Sequence, residues 1–192
     1  MKKFLFGLVV AVVACVMYGV HVVNSGARLD EAVIAAWAQV ENQYQRRLDL
    51  IPNLVSTVKG YTQHEQETLT QVVEARASAT KMQVNVNNPE SVQRYMNAQG
   101  ELGTVLSRLM AVAEAYPELK ANENFMNLQS QLEGTENRIA VARRDYVQAV
   151  QNYNTLLRVF PSSWFVRNFT DLKPRASFEA AAEAKQAPKV SF

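Results

Sequence analysis

Apolar residues recur every three or four positions along most of this chain. Between Leu29 and Ile51 the steps are 4, 4, 3, 4, 4 and 3, at Leu29, Val33, Trp37, Val40, Tyr44, Leu48 and Ile51. Such spacing places one apolar stripe on an α-helix. The series keeps its phase beyond Pro52, which predicts a first long helix over about residues 27–82, kinked or broken at that proline.

Similar patterns predict helices over 90–116 and 118–159, separated by the loop signal QVNVNNPE and by Tyr116-Pro117. Long helices with short loops and steps near 3.5 residues are typical of antiparallel bundles. The expected fold is therefore all-α: a transmembrane helix followed by an antiparallel bundle of long helices. The bundle domain is assigned to 24–160 and a C-terminal extension to 161–192.

Pro52 allows two interpretations of the first helix. A proline inside a helix removes one backbone hydrogen bond and costs about 3 kcal/mol. In one interpretation the helix kinks there and keeps its apolar face, which the preserved phase favours. In the other, a second helix begins with Asp49 as N-cap, and the proline lies in the first turn, where it is tolerated.

The N-terminus carries a membrane signal. After a short tail at 1–3, residues 4–23 contain no formally charged side chain, and twenty helical residues span about 30 Å, the thickness of a bilayer core. We expect a single-pass helix with the lipid bilayer as its partner. Lys2 and Lys3 before the span, against Arg28 after it, favour an N-terminus in the cytoplasm and a bundle outside it, on the periplasmic side if the membrane is an inner membrane.

Cys15 supports an alternative to the uncleaved helix. The sequence from Val12 to Cys15 resembles a lipobox, so a minority interpretation is an envelope lipoprotein acylated at Cys15 with the same bundle. The apolar run continues to Val23, where lipoproteins have a polar tether, which favours the transmembrane helix.

Composition argues against several functional classes. The formal charge is +2 with basic and acidic residues interspersed, so no nucleic-acid partner is expected. A single cysteine and two histidines predict no metal site, and no cofactor is expected. His64 lacks the companions of a nucleophilic or zinc-dependent site, so catalysis by an unrecognised hydrolase using His64 is the weaker alternative.

The stretch 36–77, AWAQVENQYQRRLDLIPNLVSTVKGYTQHEQETLTQVVEARA, resembles the signature of LemA family proteins. The later matches are YNTLLRVFP at 153–161, Phe178-Glu179, and Pro188 to Val190 with Phe192. The resemblance implies a bacterial, membrane-anchored helical bundle whose molecular role is poorly defined and for which no catalytic residues are known. It also implies a link to envelope or membrane-protein quality control. The family is often described with its short N-terminus outside, which opposes the orientation that the charges favour.

Two sets of residues are candidates for interaction. The partner-surface or kink-fixing candidates are Arg46, Arg47, Asp49, Pro52, Asn53, Lys59, His64 and Glu65. The aromatic residues Trp164, Phe165 and Phe169 form a candidate interfacial patch, which either caps the base of the bundle or meets the bilayer or a partner. The predicted function is a non-enzymatic membrane-tethered scaffold or adaptor for a protein partner. A homo-oligomer could form through the small residues Gly7, Ala11 and Ala14.

Overall fold

The computed structural model describes residues 1–62 and 65–178, and within these ranges the regular structure is entirely helical. The helices are α1 Lys2–Lys59, α2 Gln66–Lys81, α3 Pro89–Ala113, α4 Pro117–Lys120, α5 Glu123–Arg158 and α6 Ser162–Phe169. A long, apolar N-terminal helix is followed by a helical bundle, which confirms the predicted fold class.

Helix α1 runs without interruption from the N-terminal apolar segment into the bundle. Its 58 residues make it about 87 Å long at 1.5 Å per residue. Residues 2–18 are exposed on every face, and α1 is long and apolar enough to cross a membrane. It is consistent with membrane anchoring.

From residue 19 onward one stripe of α1 is buried. Its positions are Gly19, Val22, Gly26, Val33, Trp37, Val40, Tyr44, Arg47, Leu48, Ile51, Leu54 and Val58. The stripe begins inside the predicted span 4–23 and crosses the predicted boundary at 23–24, so the apolar segment and the bundle share one helix.

The first helix ends two turns after Pro52, at Lys59, so the helix predicted over 27–82 is interrupted after Lys59 and not at Pro52. Gly60 caps α1, a turn follows, and α2 starts at Gln66. The physical reason is burial: α2 turns back so that Leu69 and Val72 enter the same core cluster as Val58. The alternative of a new helix capped by Asp49 is also wrong, because α1 continues through Pro52.

The remaining helices start at clear signals. The Asn88 side chain accepts hydrogen bonds from the amides of Glu90 and Ser91, and Pro89 occupies the first turn of α3. The region predicted as one helix over 118–159 begins with the short α4. The Asn122 side chain then caps α5 by accepting from the amide of Phe125.

Apolar residues form a core that extends along the rod. One large cluster lies among α1, α2, α3, α4 and α5, and a second joins α1, α3 and α5 around Trp37 and Tyr146. A smaller cluster brings Phe165 and Val166 of α6 onto Val22 of α1. The core therefore reaches into the last turns of the apolar segment.

Residues 170–178, the tail segment, lie along α1 and α5. The Asn154 side chain donates to the Arg175 carbonyl and accepts from the Arg175 amide, each at 2.9 Å. The Arg175 guanidinium donates through Nη2 to the carboxylate of Asp30 at 2.7 Å. The predicted extension 161–192 is thus α6 plus this docked segment up to Phe178, and residues 179–192, with the terminal motif ending at Phe192, lie outside the described residues.

Candidate functional site

Arg47 is buried in the middle of the bundle and links three helices. Its residue exposure is 3%. Nη1 donates to Glu136 Oε1 of α5 at 2.9 Å, and Nη2 donates to the Gln99 carbonyl of α3 at 2.9 Å. Nη2 also donates to Gln99 Oε1. Arg47, Gln99 and Glu136 are called the Arg47 junction below.

Groups around the Arg47 guanidinium stabilise its buried positive charge. Glu136 is half-exposed, so its carboxylate keeps contact with water while it neutralises the guanidinium. The Tyr44 ring lies 5.1 Å from the guanidinium carbon, close enough for a cation–π contact. Burial raises the pKa of the Tyr44 hydroxyl above its ordinary value, and the nearby cations Arg143 and Arg47 oppose this rise.

One residue further along α1, Leu48 explains how the helix tolerates Pro52. In an α-helix the amide of residue i donates to the carbonyl of residue i−4, so Pro52 leaves the Leu48 carbonyl without its intrahelical donor. Arg76 Nε of α2 donates to that carbonyl at 2.9 Å. A neighbouring helix thus replaces the missing hydrogen bond.

The Arg47 side chain and the neighbouring Leu48 carbonyl therefore connect α1 to α2, α3 and α5 at one level of the bundle. An arginine supplies each tie, because it offers several donors on a long stem that reaches across a helix interface. These signature residues hold the bundle together; the described contacts give them no substrate-facing geometry.

Other candidates of the signature lie on the surface of α1. Arg46, Asp49, Asn53 and Lys59 are exposed. Asp49 accepts a hydrogen bond from Gln45 Nε2 at 2.8 Å, one helical turn away. These side chains are oriented towards solvent and can contact a partner.

Glu65 lies at the turn that joins α1 to α2. It is partly buried, and its Oε1 accepts a hydrogen bond from the Tyr116 hydroxyl at 3.3 Å. Desolvation, followed by the Glu65 charge, raises the pKa of Tyr116. His64 lies outside the described residues.

The aromatic patch of Trp164, Phe165 and Phe169 lies against the end of the apolar segment. Phe165 is buried, and its ring meets Tyr18 edge-on at 5.4 Å between centroids. Trp164 and Phe169 remain 52% and 65% exposed. One ring of the patch therefore packs on α1, and the other two are exposed; contact with a bilayer or a partner stays a prediction.

Cys15 is exposed and lies on the same side of α1 as the patch. With Gly19 it lines an open apolar groove of about 390 Å³ whose opposite wall is Trp164, Phe165 and Phe169 of α6. Acylation at Cys15 stays a prediction.

A second groove, of about 690 Å³, separates α3 from α5. Gly100 and Gly103 line one side, and Glu133 and Glu136 line the other. A Cβ added at Gly100 would meet no atom within 4 Å. The chain itself therefore leaves the space at Gly100 open.

Acidic, histidine and cysteine side chains do not converge into a group of three or more anywhere in 1–62 or 65–178. The chemistry that the described geometry does carry is hydrogen bonding and charge pairing within the bundle.

Several residues that organise the bundle were not predicted from the sequence. Gln99 and Glu136 lie 52 and 89 positions from Arg47, and apolar periodicity carries no information about such pairings. Arg76 belonged to the family signature, yet its acceptor is a main-chain carbonyl. Proline itself was the usable signal, since it leaves the carbonyl four residues earlier in need of a donor.

Known proteins are similar to this chain over most of its length. The family model described as the LemA family matches residues 36–192. Protein LemA of Metamycoplasma hominis is 21% identical over 182 residues, covering 94% of this chain and 80% of that protein.

Two magnetosome proteins match a shorter part. Magnetosome protein MamQ 2 of Paramagnetospirillum magneticum is 34% identical over 76 residues, 38% of this chain. Magnetosome protein MamQ of Magnetospirillum gryphiswaldense is 30% identical over 66 residues, 34% of this chain. The matched part spans only 28% and 24% of the length of these two proteins.

Proposed function

The chain belongs to the LemA family, and from this premise we propose that it is a non-enzymatic scaffold that holds a rigid helical bundle above a membrane for a protein partner. The main support for this proposal is that α1 is one continuous helix from Lys2 to Lys59. Because one helix forms both the apolar segment and a full side of the bundle, the two move as one body.

The buried polar groups support a scaffold over an enzyme. Arg47 and Arg76, the buried and half-buried arginines of the signature, are engaged by Gln99, Glu136 and the Leu48 carbonyl. A catalytic group needs a partner and a space for substrate, whereas these contacts point between helices. The exposed residues Arg46, Asp49, Asn53 and Lys59 of α1 form the proposed partner surface.

The proposed location is a bacterial inner membrane with the bundle on the periplasmic side. Lys2 and Lys3 at the start of α1 favour this orientation, because basic residues flanking a span stay in the cytoplasm. The proposed process is envelope or membrane-protein quality control. The scaffold also offers Gly7, Ala11 and Ala14 for close approach of a second α1, and a Cβ at Gly7 would meet nothing within 4 Å in the single chain.

Photo-crosslinking in native membranes tests the partner surface. A photo-reactive residue at Lys59 or Arg46 should yield a discrete protein adduct, including one to a membrane protein. The matched control is the same residue at Arg144, an exposed arginine of α5. Identical adduct patterns from all three positions, or none from α1, would contradict the proposed surface.

A measurement of the intact mass distinguishes the lipoprotein alternative from this proposal. An uncleaved chain keeps residues 1–14. A chain that lost them and gained acyl mass at Cys15 would replace the transmembrane anchor with a lipid anchor on the same bundle.

A further inference from the structure

We propose that α6 lies in the membrane–water interface and that the apolar groove between α6 and α1 holds an acyl chain of a membrane phospholipid. This inference rests on the proposed membrane anchoring through α1 and names its lipid partner.

The position of α6 along α1 is the first argument. Phe165 packs on Tyr18 and Val22, which lie in the last two turns of the apolar segment. The chain returns to the bundle through Leu172, whose side chain lies beside Gly26. Helix α6 therefore lies where the apolar segment meets the polar part of α1.

The composition of α6 fits that boundary. Trp164 and Phe169 are exposed, while Arg167 and Arg158 are exposed cations near its two ends. Aromatic rings concentrate at the headgroup level of membranes, and long cationic side chains extend from there to the phosphates. In water, two exposed aromatic rings beside an apolar groove form a patch of the kind that marks an interaction surface.

The apolar lining and the position of the groove favour an acyl chain as its occupant. Cys15, Val16, Gly19 and Val23 of α1 form one wall, and the aromatic patch forms the other. The α1 wall is continuous with residues 2–18, exposed on all faces, and those residues would be surrounded by lipid chains. An acyl chain of a phospholipid in the same leaflet can extend from this lipid layer into the groove, so the groove needs no occupant other than the lipid already around α1.

Gly19 sets how closely α6 approaches. A Cβ at this position would lie 2.8 Å from Phe165 Cε1 and 2.9 Å from Cδ1, so any larger residue forces the ring to move. Glycine in a helix interior is destabilising relative to alanine. The close contact with Phe165 gives this glycine a structural reason within the span.

Bromine quenching of tryptophan fluorescence in reconstituted vesicles tests the inference. The chain has two tryptophans, Trp37 in the bundle core and Trp164 in the patch. The Trp37→Phe variant reports Trp164 alone, and the Trp164→Phe variant reports Trp37 alone. The full chain is placed in phosphatidylethanolamine–phosphatidylglycerol vesicles whose acyl chains carry bromine near the carboxyl end or near the methyl end.

We expect Trp164 to lose most of its emission with bromine near the carboxyl end, and less with bromine near the methyl end. Trp37 should keep its emission with both lipids. Vesicle flotation is measured on the same samples. A chain that fails to float contradicts membrane anchoring, whereas a chain that floats with unquenched Trp164 overturns the inference alone.

Filling the groove tests the acyl chain itself. In the Trp37→Phe background, Gly19→Leu and Cys15→Phe fill the groove from two positions on its α1 wall, and Gly19→Leu also pushes on Phe165. Both should reduce the quenching of Trp164, while Val12→Leu, at an exposed position outside the groove, should leave it unchanged. Unchanged quenching in both filled variants, with helical content retained in circular dichroism, would show that no acyl chain enters.

Discussion

At the scale of single residues, two arginines decide how α1 joins the bundle. Arg47 places a cation in the interior and surrounds it with a backbone carbonyl, an amide and a carboxylate. Arg76 supplies the donor that Pro52 removed. The Arg47 arrangement is not interchangeable with lysine, because two guanidinium nitrogens reach acceptors on two different helices.

Replacing Arg47 by methionine should lower the free energy of unfolding by roughly 2–4 kcal/mol. It keeps the buried stem but removes three hydrogen bonds and leaves Gln99 with fewer partners. Chemical denaturation in detergent measures the change. The exposed neighbour Arg46→Met is the control and should stay within about 0.5 kcal/mol of wild type. Equal losses in the free energy of unfolding for Arg47→Met and Arg46→Met would contradict a structural role for the Arg47 junction.

A double-mutant cycle tests the replacement hydrogen bond at the proline. Arg76→Met should cost roughly 1–2 kcal/mol with Pro52 present, because the Leu48 carbonyl then loses its donor. In the Pro52→Ala background the backbone amide restored by the substitution supplies that donor, so Arg76→Met should cost clearly less. Strict additivity of the two changes would show that the contact is unrelated to the proline.

Alkaline pH should weaken the bundle through Tyr95. Burial, followed by the nearby Glu41 charge, raises the pKa of Tyr95 to about 12. Below pH 10 the phenol is neutral in both folded and unfolded chains, and its contribution is complete. Between pH 10 and 12 only the unfolded chain ionises, so stability falls by up to about 1.4 kcal/mol per pH unit. Denaturation at pH 9 and 11 measures the fall, which Tyr95→Phe should reduce.

At the scale of helices, α1 and α5 form the long axis, and α2 and α3 complete the bundle. The stripe of α1 could be predicted because burial imposes a 3.6-residue period. The turn at Gly60 was missed because the apolar phase continues across it. The polar residues Thr62 and Glu65, which interrupt the series, were the local sign of that turn.

The candidate site was predictable only in part for the same reason. The family signature marked Arg47 and Pro52, but a linear pattern does not show that Arg47 contacts α3 and α5. Nor does it show that the Leu48 carbonyl, left without its donor by Pro52, accepts from Arg76 of α2. The docking of the aromatic patch on Gly19 is likewise a contact between residues 146 positions apart (19 and 165).

Gly100→Ala should stabilise α3. The added Cβ enters open space in the groove between α3 and α5, and alanine removes the backbone entropy cost of glycine. We expect the free energy of unfolding to rise by about 0.5–1 kcal/mol. Thermal melting compares it with Gly26→Ala, whose Cβ would lie 2.6 Å from Leu172 Cδ1 and should not stabilise. A loss of stability at Gly100 would mean that another helix approaches there.

At the scale of the whole molecule, anchor and bundle share a single helix with a buried stripe from residue 19 to residue 58. With the proposed span in a bilayer, the far end of α1 lies at a defined height. Residues 24–59 at about 1.5 Å each place Lys59 about 54 Å from the membrane surface.

Energy transfer from a dye at Lys59→Cys, in a Cys15→Ala background, to a lipid dye measures this height. We expect a narrow distribution near about 50 Å. Insertion of Gly-Gly-Ser after Asn24 interrupts α1 and should broaden and shorten the distribution. Short distances already present in the uninterrupted chain would show a bundle that lies on the bilayer.

With the proposed span in a bilayer, the unbroken α1 would also act as a lever whose short arm lies in the lipid. A helix tilts when the hydrocarbon thickness around it changes. A change of about 10° in the tilt of α1 would displace the Lys59 end sideways by about 9 Å, since the arm outside the lipid is about 54 Å long. A small change in bilayer thickness would thus become a displacement of several ångströms at the far end of the rod.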